Sequence, residues 1–285
     1  MKERITIMDF MAAKRQQKRF SAVSCYDYAT ARLVAAAGVE MILVGDSVAQ
    51  MMLGHDSTLP VTMDFMVTLT EAVRRAAPQT YLVADMPFLS YQTCIADAVG
   101  NAGRFIQEAG AQIVKLEVKR SQLDIVRAVS DADIPVMAHL GIRPQSSVMK
   151  GALRAEGTTA EQAYELITLA DEMVRAGASM ILLEGTVREV AAMVTERVPV
   201  PVVSCGSGPD CDGQILIIHD ILGLSEQPPK FARAFASLAP TMSKALEKYA
   251  RQVAAGRFPD DAHSYHIKPG QLDILKTMLA DSGNK

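Results

Sequence analysis

Eight short runs of consecutive apolar residues recur along the chain, and the apolar part of four of them stops on a carboxylate, at Asp46, Asp85, Glu117 and Glu184. They are SAVSCYD (21–27), MILVGD (41–46), TYLVADMP (80–87), QIVKLE (112–117), PVMAHLG (135–141), MILLEG (180–185), PVVSCGSG (201–208) and QILIIHD (214–220). Their length is that of strands. They are apolar at successive rather than alternate positions, the pattern of strands buried on both faces under a coat of helices. Helical patterns lie between most of them. The segments 28–37, 94–109 and 159–176 close on Gly38, Gly110 and Gly177. Glycine is the residue type that accepts the left-handed conformation just past a helix end. Each of these helices then leads within a few residues into the next strand. Eight strand–helix units in 285 residues predict a (β/α)8 TIM barrel. A doubly wound open sheet is the alternative, but no GxGxxG phosphate loop follows the first run.

No shift in composition marks a boundary, so residues 1–285 read as a single barrel domain with an N-terminal helix and a C-terminal helical extension. The last barrel helix is expected at 231–255, followed by the tail FPDDAHSYH. Hydrophobic residues make up 49% of the chain and charged residues 21%, enough for a full core. A net charge of −3 without a basic block argues against nucleic acid as a partner. No apolar run approaches the roughly 18 residues that a membrane span needs. The start, MKERITIMDFMAAKRQQ, lacks a continuous apolar segment, so this stretch is not expected to act as a signal peptide. Its Ile5, Ile7, Met8 and Met11 suit one face of an amphipathic helix. Cys25, Cys94, Cys205 and Cys211 have no zinc spacing, so reduced thiols in a cytoplasmic protein are expected.

In a barrel the C-terminal ends of the strands face the active site. Asp46, Asp85, Glu117, His139 and Glu184 stand at the ends of five different runs, so they are expected to converge. Clustered carboxylates repel one another unless a cation or a proton shares the site. Oxygen donors without Cys or paired His suit Mg²⁺. Each residue also has a bland reading. Asp46 could cap the turn after its strand. Glu117 could pair with Lys115, Lys119 or Arg120 on a solvated rim. Lys115 points the same way as Glu117, or snorkels at the surface. His139 could be a hydrogen-bonded core histidine, and Glu184 a rim acid paired with Arg188. Ser47 beside Asp46 says nothing alone. The recurrence of carboxylates at strand ends, rather than any single position, favours a site.

The block LVGDSVAQMMLGHDSTLPVT resembles the ketopantoate hydroxymethyltransferase family of the phosphoenolpyruvate mutase and isocitrate lyase superfamily. The resemblance runs through CYDYATARL, AVRRAAP, VADMPF, NAGRFIQEAGAQIVKLE, AHLGIRPQS, GPDCDGQILIIHDILGL, PKFARAF and FPDDAHSYH, nearly the whole chain. It implies a (β/α)8 barrel with Asp46 and Asp85 binding Mg²⁺ and Glu117 reaching the metal directly or through water. By the same resemblance Asp46, Ser47, Asp85, Lys115 and His139 surround the 2-oxo acid, and Glu184 is the general base. The implied reaction moves a one-carbon unit from the co-substrate 5,10-methylenetetrahydrofolate to 3-methyl-2-oxobutanoate through a Mg-stabilised enolate. It gives 2-dehydropantoate for pantothenate synthesis. A homo-oligomer, a decamer in the family, is implied as well.

The sequence departs from the family pattern in loops. Val118-Lys119 replaces Gly-Gly, KGALRAEG (150–157) replaces GGYKVQG, LEGTV (183–187) replaces LECVP, SCGSG (204–208) replaces GIGAG, and AHLG replaces GHLG. Two other readings follow. One is a paralogue performing aldol or C–C lyase chemistry on another 2-oxo acid, which the altered loops favour and the intact HDSTLPVT and GPDCDGQ blocks oppose. The other is a non-catalytic barrel, against which Asp46, Asp85, Lys115 and Glu184 all stand.

Overall fold

A computed structural model describes residues 3–150 and 154–282; residues 151–153 of the divergent loop 150–157 lie outside them. Strands β1 (Phe20–Ser24), β2 (Met41–Val44), β3 (Tyr81–Asp85), β4 (Ile113–Glu117), β5 (Val136–Gly141), β6 (Ala178–Glu184), β7 (Val202–Cys205) and β8 (Gly213–Ile217) form a closed barrel in chain order. Every pair is parallel, and β8 returns to β1. The helices are α1 (Ile7–Arg15), α2 (Tyr28–Ala36), α3 (Val48–Met51), α4 (Met63–Ala76), α5 (Ile95–Gln107) and α6 (Leu123–Asp131). They continue with α7 (Ser147–Lys150), α8 (Ala160–Arg175), α9 (Arg188–Arg197), α10 (Ile218–Leu222), α11 (Leu238–Ala254) and α12 (Gln271–Ser282). The expected barrel is therefore present, with all eight runs as strands. Gly38, Gly110 and Gly177 follow α2, α5 and α8 with positive φ, as helix stops.

The apolar core has two layers separated by the strands. One fills the barrel and includes Leu43, Tyr81, Val83, Ile113, Met137, Met180 and Leu182. The other lies between strands and helices and includes Ile42, Val44, Leu82, Val114, Leu116, Ala138, Ile181 and Leu183. The alternation is strict, and it decides where the polar residues go. Asp85 continues the inward row Tyr81, Val83; Lys115 and Glu117 continue the row begun by Ile113; His139 follows Met137; and Glu184 follows Met180 and Leu182. The lower barrel is apolar and its upper end is charged.

Helix α1 closes the lower end. Phe10 packs against Phe20 with the rings tilted and their centroids 4.6 Å apart, and meets Tyr81 edge-on at 5.1 Å. The expected apolar face of this helix is corrected in one respect: Phe10 is its buried residue and Met8 is exposed.

The chain divides into two compact units, Met1–Phe235 and Ala236–Lys285. The helix expected at 231–255 is also corrected. It begins at Leu238 and lies in the second unit, and only α10 follows β8 directly. A helix from residue 231 would carry Pro240 in its interior, where proline removes a hydrogen bond and clashes with the preceding turn. Starting at Leu238 puts Pro240 in the first turn, where its missing N–H leaves no gap. The second unit holds α11 and α12, neither with a buried residue. Among the described residues no helix is long and apolar enough to cross a membrane.

Candidate active site

A cavity of about 520 Å³ at the C-terminal end of the barrel is lined by Asp46, Ser47, Asp85, Lys115, Glu117, His139 and Glu184. All seven residues singled out in the sequence therefore meet in one place. Strand register does much of this: Asp85 lies opposite Lys115, and Glu117 opposite His139.

Asp85 and Lys115 form a buried ion pair at 2.8 Å. The other Asp85 oxygen accepts the backbone N–H of Asp46 at 2.9 Å. This contact runs past Gly45, where a Cβ would meet Ser24 Oγ at 2.9 Å and Ser47 Oγ at 3.0 Å. Only glycine lets the ends of β1, β2 and β3 crowd so closely here. Asp46 does not cap its own turn; its Oδ2 accepts from Gln145 Nε2 at 2.9 Å. Ser47 Oγ shares a 2.8 Å hydrogen bond with Tyr26 Oη. The rim reading of Glu117 fails, because its side chain is buried. Glu184 is not paired with Arg188, which binds Asp210 at 2.6 Å.

The protonation states follow from burial. Loss of water raises the Asp85 carboxyl above the usual range and the Asp46 charge adds to it, while Lys115 opposes them. Burial also raises Glu117, against the pull of Lys115. Burial works against the charge on Lys115, but Asp85, Asp46 and Glu117 outweigh it and hold the pKa of the ammonium above its ordinary value. His139 is pushed well below its ordinary value by burial, then by Lys115 and Arg143, so it is neutral. Lys115 Nζ lies 3.2 Å from His139 Nδ1. An ammonium can only donate, so Nδ1 accepts and the ring proton sits on Nε2, 3.4 Å from Glu184 Oε2. Glu184 itself is raised from 4.5 to about 7, mainly by burial, with Lys115 lowering and Asp46 raising it.

Gln145 and Tyr91 were not picked out from the sequence as individual residues. Gln145 Nε2 donates to Asp46 Oδ2 and, at 3.0 Å, to Met86 O. Its backbone N–H donates to Glu117 Oε2 at 2.9 Å, and its Oε1 accepts from Tyr91 Oη at 2.8 Å. The Tyr91 hydroxyl in turn accepts Glu117 N–H at 3.1 Å. This network holds two acids, Asp46 beyond β2 and Glu117 at the end of β4, and ties them to the backbone just after Asp85. The only signal for it was that Gln145 falls inside the block AHLGIRPQS.

Among the described residues no group of three His, Cys, Asp or Glu side chains forms a ready metal cage. Mg²⁺ does not require one, since it takes one or two carboxylates and keeps water or substrate in its other positions. Asp46 and Asp85 are the donors that fit, in contact through Asp46 N–H. Glu117 Oε1 is buried and accepts no hydrogen bond, an oxygen that a hydrated cation would satisfy.

A family described as ketopantoate hydroxymethyltransferase matches residues 4–261. A 3-methyl-2-oxobutanoate hydroxymethyltransferase of Pelobacter propionicus is 46% identical over 267 residues, covering 93% of this chain and 99% of its own. One of Moorella thermoacetica is 46% identical over 265 residues, covering 93% and 98%. Among solved structures, 2,3-dimethylmalate lyase, a PEP mutase/isocitrate lyase superfamily member, covers 99% of both chains at 18% identity with a TM-score of 0.59. A phosphonopyruvate hydrolase complex with oxalate and Mg²⁺ covers 97% of this chain and 98% of its own at 16% identity, with a TM-score of 0.61. Those likenesses establish the barrel fold. The family match and the identity to the curated relatives go further: this chain belongs to the ketopantoate hydroxymethyltransferase family.

Proposed function

We propose that this enzyme removes the C3 proton of 3-methyl-2-oxobutanoate and joins that carbon to the one-carbon unit of 5,10-methylenetetrahydrofolate. The overall products are 2-dehydropantoate and tetrahydrofolate, with water supplying the new hydroxyl oxygen. The observation that carries this reading is Glu184. It is a carboxylate whose pKa lies at about 7, lining the same cavity as Lys115, Asp46 and Asp85. A hydrogen next to a ketone is weakly acidic, and a base titrating near the working pH is best matched to removing it.

The other residues then have separate tasks. Lys115 offers a fixed positive charge toward the 2-oxo acid, where negative charge develops as the proton leaves. Neutral His139, held by Lys115, keeps its Nε2–H within 3.4 Å of Glu184 Oε2 as a buried donor with no other partner among the described residues. The Ser47 hydroxyl lines the cavity where the substrate oxygens would lie. Mg²⁺, held by Asp46 and Asp85 with Glu117 behind them, would supply Lewis-acid stabilisation of the charge on the keto oxygen. Gln145 and Tyr91 keep Asp46 and Glu117 from relaxing apart.

The test is direct. Purified protein with Mg²⁺, 3-methyl-2-oxobutanoate and the folate donor should form 2-dehydropantoate, and omission of the donor should stop it. Lack of product under those conditions, in protein that is folded, would sink this reading.

A further inference from the structure

A second cavity, of about 670 Å³, adjoins the first: Ile142 lines both. The partition depends on Gly185, the residue after Glu184. A Cβ there would sit 2.3 Å from Ile142 Cδ1, and Gly185 has φ of +53°. The chain thus keeps Ile142 against the turn that follows the base, with a large cavity next to it.

The walls of this second cavity carry more cations than acids in a chain whose net charge is −3. Lys119, Arg120, Arg143 and Arg154 line it together with Glu156 and Glu165. Arg120 is committed to Glu172 at 2.7 Å. The other three cations have no carboxylate partner among the described residues. Arg143 donates one N–H to Val118 O at 2.9 Å, while its Nε is buried without an acceptor. A buried donor left unpaired is costly, and a bound anion would relieve it. Guanidinium and ammonium groups around one cavity suit an organic carboxylate with more than one negative charge.

We propose that this basic cavity holds the glutamate tail of the one-carbon donor, so that the reactive end of the donor reaches past Ile142 into the reaction pocket. The inference rests on the function proposed above and adds a location to it. The first cavity, at about 520 Å³, takes the 2-oxo acid and the reacting methylene group. The elongated, doubly charged remainder of the donor takes the second.

The experiment compares 5,10-methylenetetrahydrofolate with 5,10-methylenetetrahydropteroate, the same donor without its glutamate. Two lost charge-assisted contacts should raise KM at least about tenfold, so the wild type should show that difference between the two donors. The double variant Lys119→Ala/Arg154→Ala should raise KM for the glutamate-bearing donor toward that of the tail-less one, and leave the tail-less donor within about twofold. Rising ionic strength should reproduce the effect in the wild type, because exposed charge pairs are screened. Donor-free exchange of the C3 proton in heavy water reports whether the reaction pocket of the variant is intact. A wild type that turns over both donors with equal KM overturns the subsite alone. So does a variant that weakens both donors equally. A wild type that exchanges the C3 proton yet uses neither donor overturns the one-carbon reading, and the subsite with it.

Discussion

Glu184 is placed by a strand whose inward row is apolar below it, and that placement creates two opposing effects. Burial raises its carboxyl from 4.5 to about 7. The folded state therefore holds this proton more tightly than the unfolded chain does. Its contribution to stability is fully present below about pH 4.5 and is lost as pH rises through about 7. Above pH 7 the charged carboxylate is a burden on the fold and the active form of the base. Glu184→Gln keeps size and hydrogen bonding but carries no charge. It should be more stable than wild type at pH 8, by on the order of 2 kcal/mol, and about equal at pH 4; denaturant melts at the two pH values measure this. The same variant should lose deuterium exchange at C3 of 3-methyl-2-oxobutanoate, while wild-type exchange rises with pH and levels off above about 7. If the Gln variant exchanges at the wild-type rate, Glu184 is not the base. The sequence made this residue visible because it ends an apolar run. It did not reveal the neutral histidine beside it, since a tautomer is set by contacts between strands.

At the scale of elements, the barrel was legible and the loop that finishes its site was not. Eight apolar runs with helix stops between them carry the topology. Which face of each run looks inward was hidden, because β2 to β6 are apolar on both faces and only closure of the barrel distinguishes Val83 from Leu82. The helix boundary near 231 was misread for a local reason, Pro240. Gln145 was missed because it lies four residues beyond β5 in a polar turn with no period to read, yet it links Asp46, Met86, Glu117 and Tyr91. Gln145→Leu would leave Asp46 Oδ2 and the Tyr91 hydroxyl without this partner in a buried setting. Loss of a buried network member should cost about 1–3 kcal/mol, read in urea melts. It should also weaken Mg²⁺-dependent binding of the 2-oxo acid about tenfold, since the acids are no longer held. Calorimetry that finds wild-type binding in a folded Leu variant would show that Gln145 supports the fold and does not position the acids.

At the scale of the whole molecule, the second unit poses its own question. Helix α11 carries Met242, Leu246, Tyr249 and Val253 at three- and four-residue spacing, all between 46% and 66% exposed. Helix α12 adds Leu272, Leu275, Met278 and Leu279, likewise exposed. Scattered exposed apolar residues are ordinary, but a continuous stripe along a helix of 17 residues marks a surface meant to be covered. We propose that a second copy of this chain covers it, as the resemblance to an oligomeric family led us to expect. Identical stripes are self-complementary about a two-fold axis, so no other partner is required. Light scattering at micromolar concentration should then give a mass of at least twice the 30.8 kDa chain. Leu246→Asp, which places a charge in the middle of the stripe, should shift the population toward smaller species while leaving the far-ultraviolet circular dichroism of the barrel unchanged. A wild-type mass of one chain would refute self-association, and an unchanged assembly in the Asp variant would remove the stripe of α11 from the interface.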